Sequence, residues 1–214
     1  MRLWENIIQF EYKMPMIKSA GSRGTITVVV IAYNQGKFLK KSLGSVFGQT
    51  RKPDEIILVD NGSTDETSKI VKQFAGEIII VRNKKNRGAV VAFNQGLASA
   101  SGDYVILLSA DDWFDGRILE EEGAILDRYS NIAVVYAQAY SWYRGKVSLV
   151  VAKPAGRKTV IGRDEFERLL TRGDYMPLLT ALIRRSAYKN LGLMDEKIKF
   201  RHDFEFWKIG RAHV

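Results

Sequence analysis

Two adjacent carboxylates, Asp111 and Asp112, are the first residues in this sequence whose types and spacing could do chemistry. They follow residues 104–108, a continuous apolar run typical of a strand that is buried on both faces. Open α/β sheets bind ligands at the carboxyl ends of such strands. Neighbouring carboxylates repel each other unless a cation or hydrogen-bond donors lie between them, and oxygen ligands suit Mg²⁺ or Mn²⁺. The pair therefore predicts either a metal or nucleotide site, or a solvated turn that caps the next helix.

Polar side chains stand at the end of two further strand-like runs. The three resulting pairs are Tyr33 and Asn34, Asp60 and Asn61, and Asp111 and Asp112. Because the carboxyl ends of neighbouring parallel strands lie at one edge of a sheet, we expect these pairs to converge on a single crevice. Each pair alone could be a capping turn, but three such pairs together favour a ligand site.

The elements that must position these pairs alternate along the first half of the chain. Strands are predicted over 25–31, 55–59, 78–81 and 104–108. Amphipathic helices are predicted between them, the last over 88–100. Such alternation predicts an α/β fold, a single α/β/α domain with a mostly parallel central sheet and helices on both faces. The chain lacks a Gly-x-Gly-x-x-Gly segment after the first strand and a P-loop, so dinucleotide binding is not expected.

The second half of the chain has a looser pattern. A helix is predicted over 117–129, a strand over 133–136, extended segments over 138–153, a short helix over 164–170 and a strand over 178–183. Asp203 then precedes the aromatic residues of a last predicted helix. From the residues alone, a helix-capping role for Asp203 is favoured over a catalytic one.

Composition limits the classes of partner and chemistry. The 214 residues fit one sizeable domain, and the lack of cysteine excludes disulfides, thiol catalysis and cysteine-bound zinc. The formal charge of +9 fits anionic partners such as nucleic acid, acidic lipids or a phosphorylated substrate. We find neither an apolar run long enough to span a membrane nor a secretory leader. Apolar residues at helical spacing over 3–12 favour packing on the domain or on a partner over lying on a membrane.

Four motifs in order give the chain a specific resemblance. They are residues 28–39 (VVVIAYNQGKFL), 53–67 (PDEIILVDNGSTDET), 86–89 (NRGA) and 100–112 (ASGDYVILLSADD). Over about residues 25–208 the sequence resembles a family 2 glycosyltransferase with the GT-A fold. The resemblance implies an N-terminal extension and linker over 1–24 and a GT-A domain over 25–214. That domain would have a nucleotide-binding half, about 25–115, and an acceptor half, about 116–214, shortened at its C-terminus relative to common family members.

The resemblance also implies an activity and residue roles. Family members transfer a sugar, with inversion, from a nucleotide diphosphate sugar to an acceptor hydroxyl, here in polysaccharide or cell-surface glycan synthesis. The nucleotide contacts carried over from the family are Ala32, Tyr33, Asn34, Asp60, Asn61 and Asp111. Asp112 would bind a divalent metal, Mn²⁺ or Mg²⁺, and Asp203 would be the general base. An Asp60 carboxylate that accepts from a base N–H favours UDP- or dTDP-sugars.

Three positions depart from the family pattern. Ser109 stands where Asp is common, Phe93 where Arg is usual, and His202 where Glu usually precedes the base. Arg87 and His202 are candidate contacts to the diphosphate or the acceptor, although for the basic segment 84–87 a solvated charge run is favoured over a role in steering the donor.

Two alternatives remain open beside the transferase. A sugar nucleotidyltransferase would usually carry a glycine-rich basic loop after the first strand, which residues 33–36 do not resemble. A nucleotide- or membrane-binding module without activity would cluster its basic residues on one face. The expected partners are a nucleotide-sugar donor, a glycan or lipid-linked acceptor and an anionic membrane surface, but no nucleic acid. The expected location is cytoplasmic, and peripheral attachment at the inner face of the plasma membrane is compatible with it. The sequence does not determine the oligomeric state.

Overall fold

Ten strands and five α-helices are present in the computed structural model, which describes residues 8–11, 23–143, 146–150, 159–161 and 178–197. The strands are β1 Ile8–Glu11, β2 Ile26–Ala32, β3 Glu55–Asp60, β4 Ile79–Arg82, β5 Tyr104–Ser109, β6 Ile132–Tyr136, β7 Ala139–Tyr143, β8 Lys146–Val150, β9 Thr159–Ile161 and β10 Ala181–Arg184. The helices are α1 Gly36–Phe47, α2 Thr67–Val71, α3 Ala89–Ser99, α4 Ile118–Arg128 and α5 Arg185–Leu191. Two 3₁₀ turns, Lys72–Phe74 and Leu178–Thr180, continue α2 and lead into β10.

Eight of these strands form one sheet in the order β4-β3-β2-β5-β10-β6-β1-β9. The strands from β4 to β5 run parallel, as the alternation of strands and helices predicts. Strand β10 is antiparallel to both β5 and β6, so it joins the two halves of the chain. Strands β7 and β8 form a separate antiparallel hairpin.

The central strands are buried on both faces. All seven residues of β2 are buried, which explains why its sequence is almost continuously β-branched. One face of the sheet packs against α3 through Phe93 and Leu97. The other face packs against α1 and α4, through residues such as Leu43 and Leu119. Helices therefore cover both faces, and the predicted α/β layering is confirmed.

The N-terminal segment differs from its predicted character. Its apolar spacing is helical, but Ile8–Glu11 is a strand that pairs antiparallel with β6 and parallel with β9. A few apolar residues at this spacing fit either structure, and here the pairing available at the sheet edge decides. Part of the predicted extension over 1–24 thus belongs to the sheet, while the division of the chain into domains stays a prediction.

Some predicted features lie outside the described residues. These are the helix over 164–170, the turn at Arg144-Gly145, His202 and Asp203. Among the residues that are described, no helix combines the length and apolar character that a membrane crossing requires.

Candidate active site

The three polar loops begin side by side at one edge of the sheet. In the parallel ladders Ala32 pairs with Asp60, and Ile31 pairs with Ser109. Backbone hydrogen bonds continue this register past the strand ends, from Asn61 N to Ala32 O (2.8 Å) and from Ala110 N to Ile31 O (2.9 Å). The register thus brings together the loops that carry Tyr33-Asn34, Asp60-Asn61 and Asp111-Asp112, as their placement after strands predicts.

Asp60 is a buried and fully oriented carboxylate, with a side chain that is 1% exposed. Its Oδ1 accepts a hydrogen bond from Ser63 N (2.9 Å), and its Oδ2 accepts one from Ser68 Oγ (2.6 Å). The guanidinium of Arg82, on the neighbouring strand, lies 3.5 Å from Oδ2 and balances the charge. Ser68 and Arg82 have no motif that marks them, so the sequence did not identify these supports.

Asn34 ties the loop after β2 to the loop after β3. Its backbone lies in the left-handed region, with φ of 54°. Its Oδ1 accepts from Thr64 N (2.8 Å), and its own N–H donates to Ser63 Oγ (3.0 Å). Ser63 and Thr64 therefore bond to Asn34, and α2 starts after Glu66 with no side-chain cap.

Asn61 is the centre of a second set of hydrogen bonds, and its side chain is 3% exposed. Its Nδ2 donates to Asn86 Oδ1 (3.0 Å) and Gly88 O (3.1 Å). Its Oδ1 accepts from Asn83 Nδ2 (2.9 Å) and Arg87 N (3.1 Å). The amide of Asn61 thus fixes the backbone of the basic segment 83–88 beside the three loops.

Gly62 allows that close approach. Its φ is +81°, and a Cβ at this position would collide with the backbone of Lys85 and Asn86. The side chains of Lys84, Lys85 and Arg87 remain exposed. The segment therefore has a fixed backbone and exposed positive side chains at the edge of the site.

Asp111 and Asp112 differ in their surroundings. Ser109 Oγ donates to Asp111 Oδ1 over 2.5 Å, so the serine found where Asp is common in the family orients a neighbouring carboxylate. Burial, which removes water from the carboxyl group, is the larger cause of the raised pKa of Asp112. The negative charge of Asp111 raises this pKa further. A cation beside the pair would relieve this repulsion. The next residue, Trp113, is 42% exposed and carries the ammonium of Lys41 over its ring at 3.2 Å.

Asp111 and Asp112 fit a cation that is bound by protein carboxylates and by phosphate oxygens of a ligand at the same time. Within the described part of the chain, no three His, Asp or Glu side chains are grouped so as to enclose a metal. Mg²⁺ is commonly held by one or two carboxylates together with substrate phosphates and water, and Asp111 and Asp112 can supply that share. The exposed residues Lys84, Lys85 and Arg87 add positive charge nearby for a diphosphate.

A cavity of about 360 Å³ opens between the loops after β2 and β3. Its lining is Asn34, Gln35, Lys37, Phe38, Thr64, Asp65 and Glu66. It shares Asn34 with the candidate nucleotide site but contains none of Asp60, Asp111 and Asp112. We therefore define the site by the loops that meet at the sheet edge and not by this cavity.

The remaining candidates fall into two groups. Ala32 is the buried last residue of β2, and Tyr33 beside it is 42% exposed, so its ring is available to a ligand. His202 and Asp203 are outside the described residues, and their proposed roles stay predictions.

Solved structures with similar folds include TarS of S. aureus and a mannosyltransferase. The crystal structure of S. aureus TarS 1–349 has a TM-score of 0.65 and 20% identity, covering 88% of this chain and 56% of that one. TarS 1–349 in complex with UDP-GlcNAc gives a TM-score of 0.64 at 20% identity, over 87% of this chain and 53% of that one. The mannosyltransferase PcManGT from Pyrobaculum calidifontis, in complex with GDP-Man and Mn²⁺, gives 0.61 at 19% identity, over 86% and 51%. These likenesses confirm the predicted GT-A fold.

Sequence comparisons point to the same family. An uncharacterized glycosyltransferase of Rickettsia typhi is 30% identical over 190 residues, which are 85% of this chain and 57% of that protein. The chain thus spans little more than half the length of this relative. The model of the family described as "Glycosyl transferase family 2" matches residues 27–192, well over half of the sequence. The chain belongs to glycosyl transferase family 2.

Proposed function

We propose that the chain is the donor-binding and catalytic domain of an inverting glycosyltransferase, which moves a sugar from a nucleotide diphosphate sugar to an acceptor hydroxyl. The observation that carries this proposal is the shared sheet edge, where the buried Asp60 lies in register with the loop of Asp111 and Asp112. A nucleotide needs an oriented acceptor for its base, and a diphosphate needs positive charge. The loops after β3 and β5, together with residues 84–87, offer both.

The proposed donor carries uracil or thymine. Asp60 would accept from the ring N–H of the base, while Tyr33 and the Asn34 backbone would line the same end of the site. Support comes from the two hydrogen bonds and the ion pair that hold the carboxylate of Asp60 in one orientation. TarS has been crystallised with UDP and with UDP-GlcNAc, and PcManGT with GDP-Man, so relatives differ in the base that they bind.

Asp112 would hold a divalent cation, Mg²⁺ or Mn²⁺, and Asp111 would contact the ribose. When bound, the cation would supply positive charge to the departing nucleoside diphosphate. Ser109 keeps Asp111 oriented through its hydrogen bond, and Asn61 keeps the backbone of Arg87 near the diphosphate. The Mn²⁺ in the PcManGT structure is consistent with this assignment.

Asp203 would take the proton from the acceptor hydroxyl as that oxygen attacks the anomeric carbon from the face opposite the leaving diphosphate. Inversion needs this single displacement, so no covalent intermediate on the enzyme is required. His202 would adjoin the base and contact the acceptor. We propose a glycan or a lipid-linked saccharide as acceptor, since the charge of +9 favours a cytoplasmic enzyme at an anionic membrane surface.

A donor screen tests the proposal. UDP-, dTDP- and GDP-sugars are titrated into the protein by calorimetry, with and without Mn²⁺, and we expect metal-dependent binding of at least one uracil or thymine donor. Asp112→Asn should abolish the dependence on metal, whereas Glu120→Gln, which alters an exposed carboxylate on α4, should leave it intact. Binding of no nucleotide sugar would refute the transferase and favour a binding module. Donor binding that is unchanged in Asp112→Asn would remove Asp112 from the metal role.

A further inference from the structure

Helix α3 bears two consecutive amide side chains that bond to different parts of the molecule. Gln95 faces the donor side, where it forms a reciprocal pair with Asn83. Asn83 Nδ2 donates to Gln95 Oε1 (2.7 Å), and Gln95 Nε2 donates to Asn83 Oδ1 (3.0 Å). Asn83 Nδ2 also donates to Asn61 Oδ1 (2.9 Å), so an unbroken line of amides joins the loop after β3 to α3.

Asn94, the preceding residue, faces the second half of the chain and is 4% exposed. Its Nδ2 donates to Met194 O (2.9 Å), and its Oδ1 accepts from Met194 N (3.0 Å). This pair satisfies both backbone groups of one residue, as a neighbouring strand would, across 100 positions of sequence. The same Nδ2 lies 3.4 Å from Glu196 Oε1, so the side chain also contacts the acidic part of the segment.

The segment 192–197 is joined to α3 at a second place through the helix that precedes it. Tyr188, on α5, donates its hydroxyl to Leu97 O (2.7 Å). Helix α5 then ends at Gly192, whose φ of +85° turns the chain so that Met194 enters the core. Beyond Met194 the side chains of Asp195 and Glu196 are exposed. Six positions after Lys197, the sequence reaches Asp203.

We propose that Asn94 is a positioning residue for sugar transfer: by bonding to the backbone of Met194, it fixes the segment 192–197, which precedes Asp203 in the sequence, against α3. The inference rests on the proposed function, in which Asp203 is the general base. Helix α3 is then a common support, because Gln95 bonds to Asn83 on the donor side and Asn94 bonds to the segment 192–197. Because amides do not ionise in the working pH range, these bonds hold at any pH at which the base is active.

The kinetic test separates positioning from donor binding. Asn94→Ala removes both bonds to Met194, while Asn94→Asp retains an acceptor for Met194 N but loses the donor to Met194 O. We expect kcat to fall about 100-fold in the alanine variant, the scale of a misplaced catalytic group, and at least as far in the aspartate variant, whose buried carboxylate would face Met194 O and Glu196. The affinity for UDP in the presence of Mn²⁺ should be unchanged in both. Ser99→Ala, at an exposed position on the same helix, is the matched control and should behave as wild type.

A second measurement reports on the bonds of Asn94 to Met194 without relying on activity. In hydrogen exchange on the nucleotide-free protein, Asn94→Ala should speed exchange of the amides of residues 193–197 and leave those of residues 60–64 unchanged. If the alanine variant does not fold, Asn94→Ser, which keeps a polar group and places no charge in the core, gives the same readout. Unchanged exchange at 193–197, an unchanged kcat, or a loss of UDP affinity that matches the loss of kcat would each overturn the proposal. If wild type transfers no sugar but exchange responds as expected, Asn94 does hold the segment 192–197 in place. Its role in sugar transfer is then refuted together with the proposed function.

Discussion

Replacing Glu122 by glutamine should stabilise the protein at neutral and alkaline pH, because Glu122 is a carboxyl group enclosed in the core. Its side chain is 1% exposed, on the face of α4 that also buries Leu119 and Leu126. Neither of its carboxyl oxygens has a hydrogen-bond partner among the described residues. Burial raises its pKa well above the ordinary value of 4.5; the nearby backbone of Leu182 opposes this rise, and the charge of Glu121 adds to it.

The sign of the pH effect follows from this raised pKa. Between the ordinary value and the raised folded value, the folded protein binds a proton at Glu122 that the unfolded chain has released, so the free energy of unfolding falls as pH rises. One such group changes that free energy by at most about 1.4 kcal/mol per pH unit. The loss is confined to the pH range between the ordinary value and the raised folded value. For a chain of this size, each kcal/mol lost lowers the Tm by about 2–4 °C.

Thermal unfolding by calorimetry across this pH range measures the effect. The Tm of wild type should fall with pH more steeply than that of Glu122→Gln, whose amide stays neutral throughout, and the two curves should converge towards pH 4.5. Glu120→Gln, on the exposed side of the same helix, should follow wild type. Parallel curves for wild type and Glu122→Gln would refute the reasoning, since they would show that the carboxyl group ionises without cost in the fold.

Two further substitutions probe the candidate site. Gly62→Ala should destabilise the protein by at least about 1–2 kcal/mol in urea unfolding and weaken UDP binding, because φ is +81° and the new methyl group would collide with the Lys85 backbone. Gly116→Ala, where an added Cβ meets nothing within 4 Å, is its control, and equal effects at both positions would contradict the argument. Ser109→Ala should lower the affinity for UDP in the presence of Mn²⁺ by about 10-fold, because Asp111, the proposed ribose contact, loses the hydrogen bond that orients it. Calorimetry measures this, and an unchanged affinity would show that the hydroxyl does not matter.

The parts of the fold that local patterns specify were predictable from the sequence. Strands β2, β3 and β5 are short apolar runs bounded by polar loops, and this pattern is typical of buried parallel strands. Helices α3 and α4 begin and end within one residue of their predicted bounds, 88–100 and 117–129. Strand β1 was missed, because four residues that pair on both sides leave no periodic signal of their own.

The site was predictable at its strand ends and not in its supports. Register alone places Asp60 and the loop of Asp111 and Asp112 at the same edge of the sheet, on either side of β2, as their positions after strands predict. The roles of Asn61 and Asn94 depend on hydrogen bonds to groups that are far away in sequence. A single asparagine in a sequence does not indicate such partners. Glu122 has the sequence context of a solvated helix face, and only packing against β10 reveals that it is enclosed.

Strand β1 has a practical consequence for any shortened version of this protein. It lies between β6 and β9, and β9 reaches the sheet through β1 alone within the described residues. A fragment that starts at residue 25 would therefore lack β1, the strand that joins β9 to the rest of the sheet. The backbone of β6 would then be open to pairing with other chains. Such a fragment would invite aggregation even with every residue of the candidate active site intact, so the first two dozen residues belong in the expressed protein.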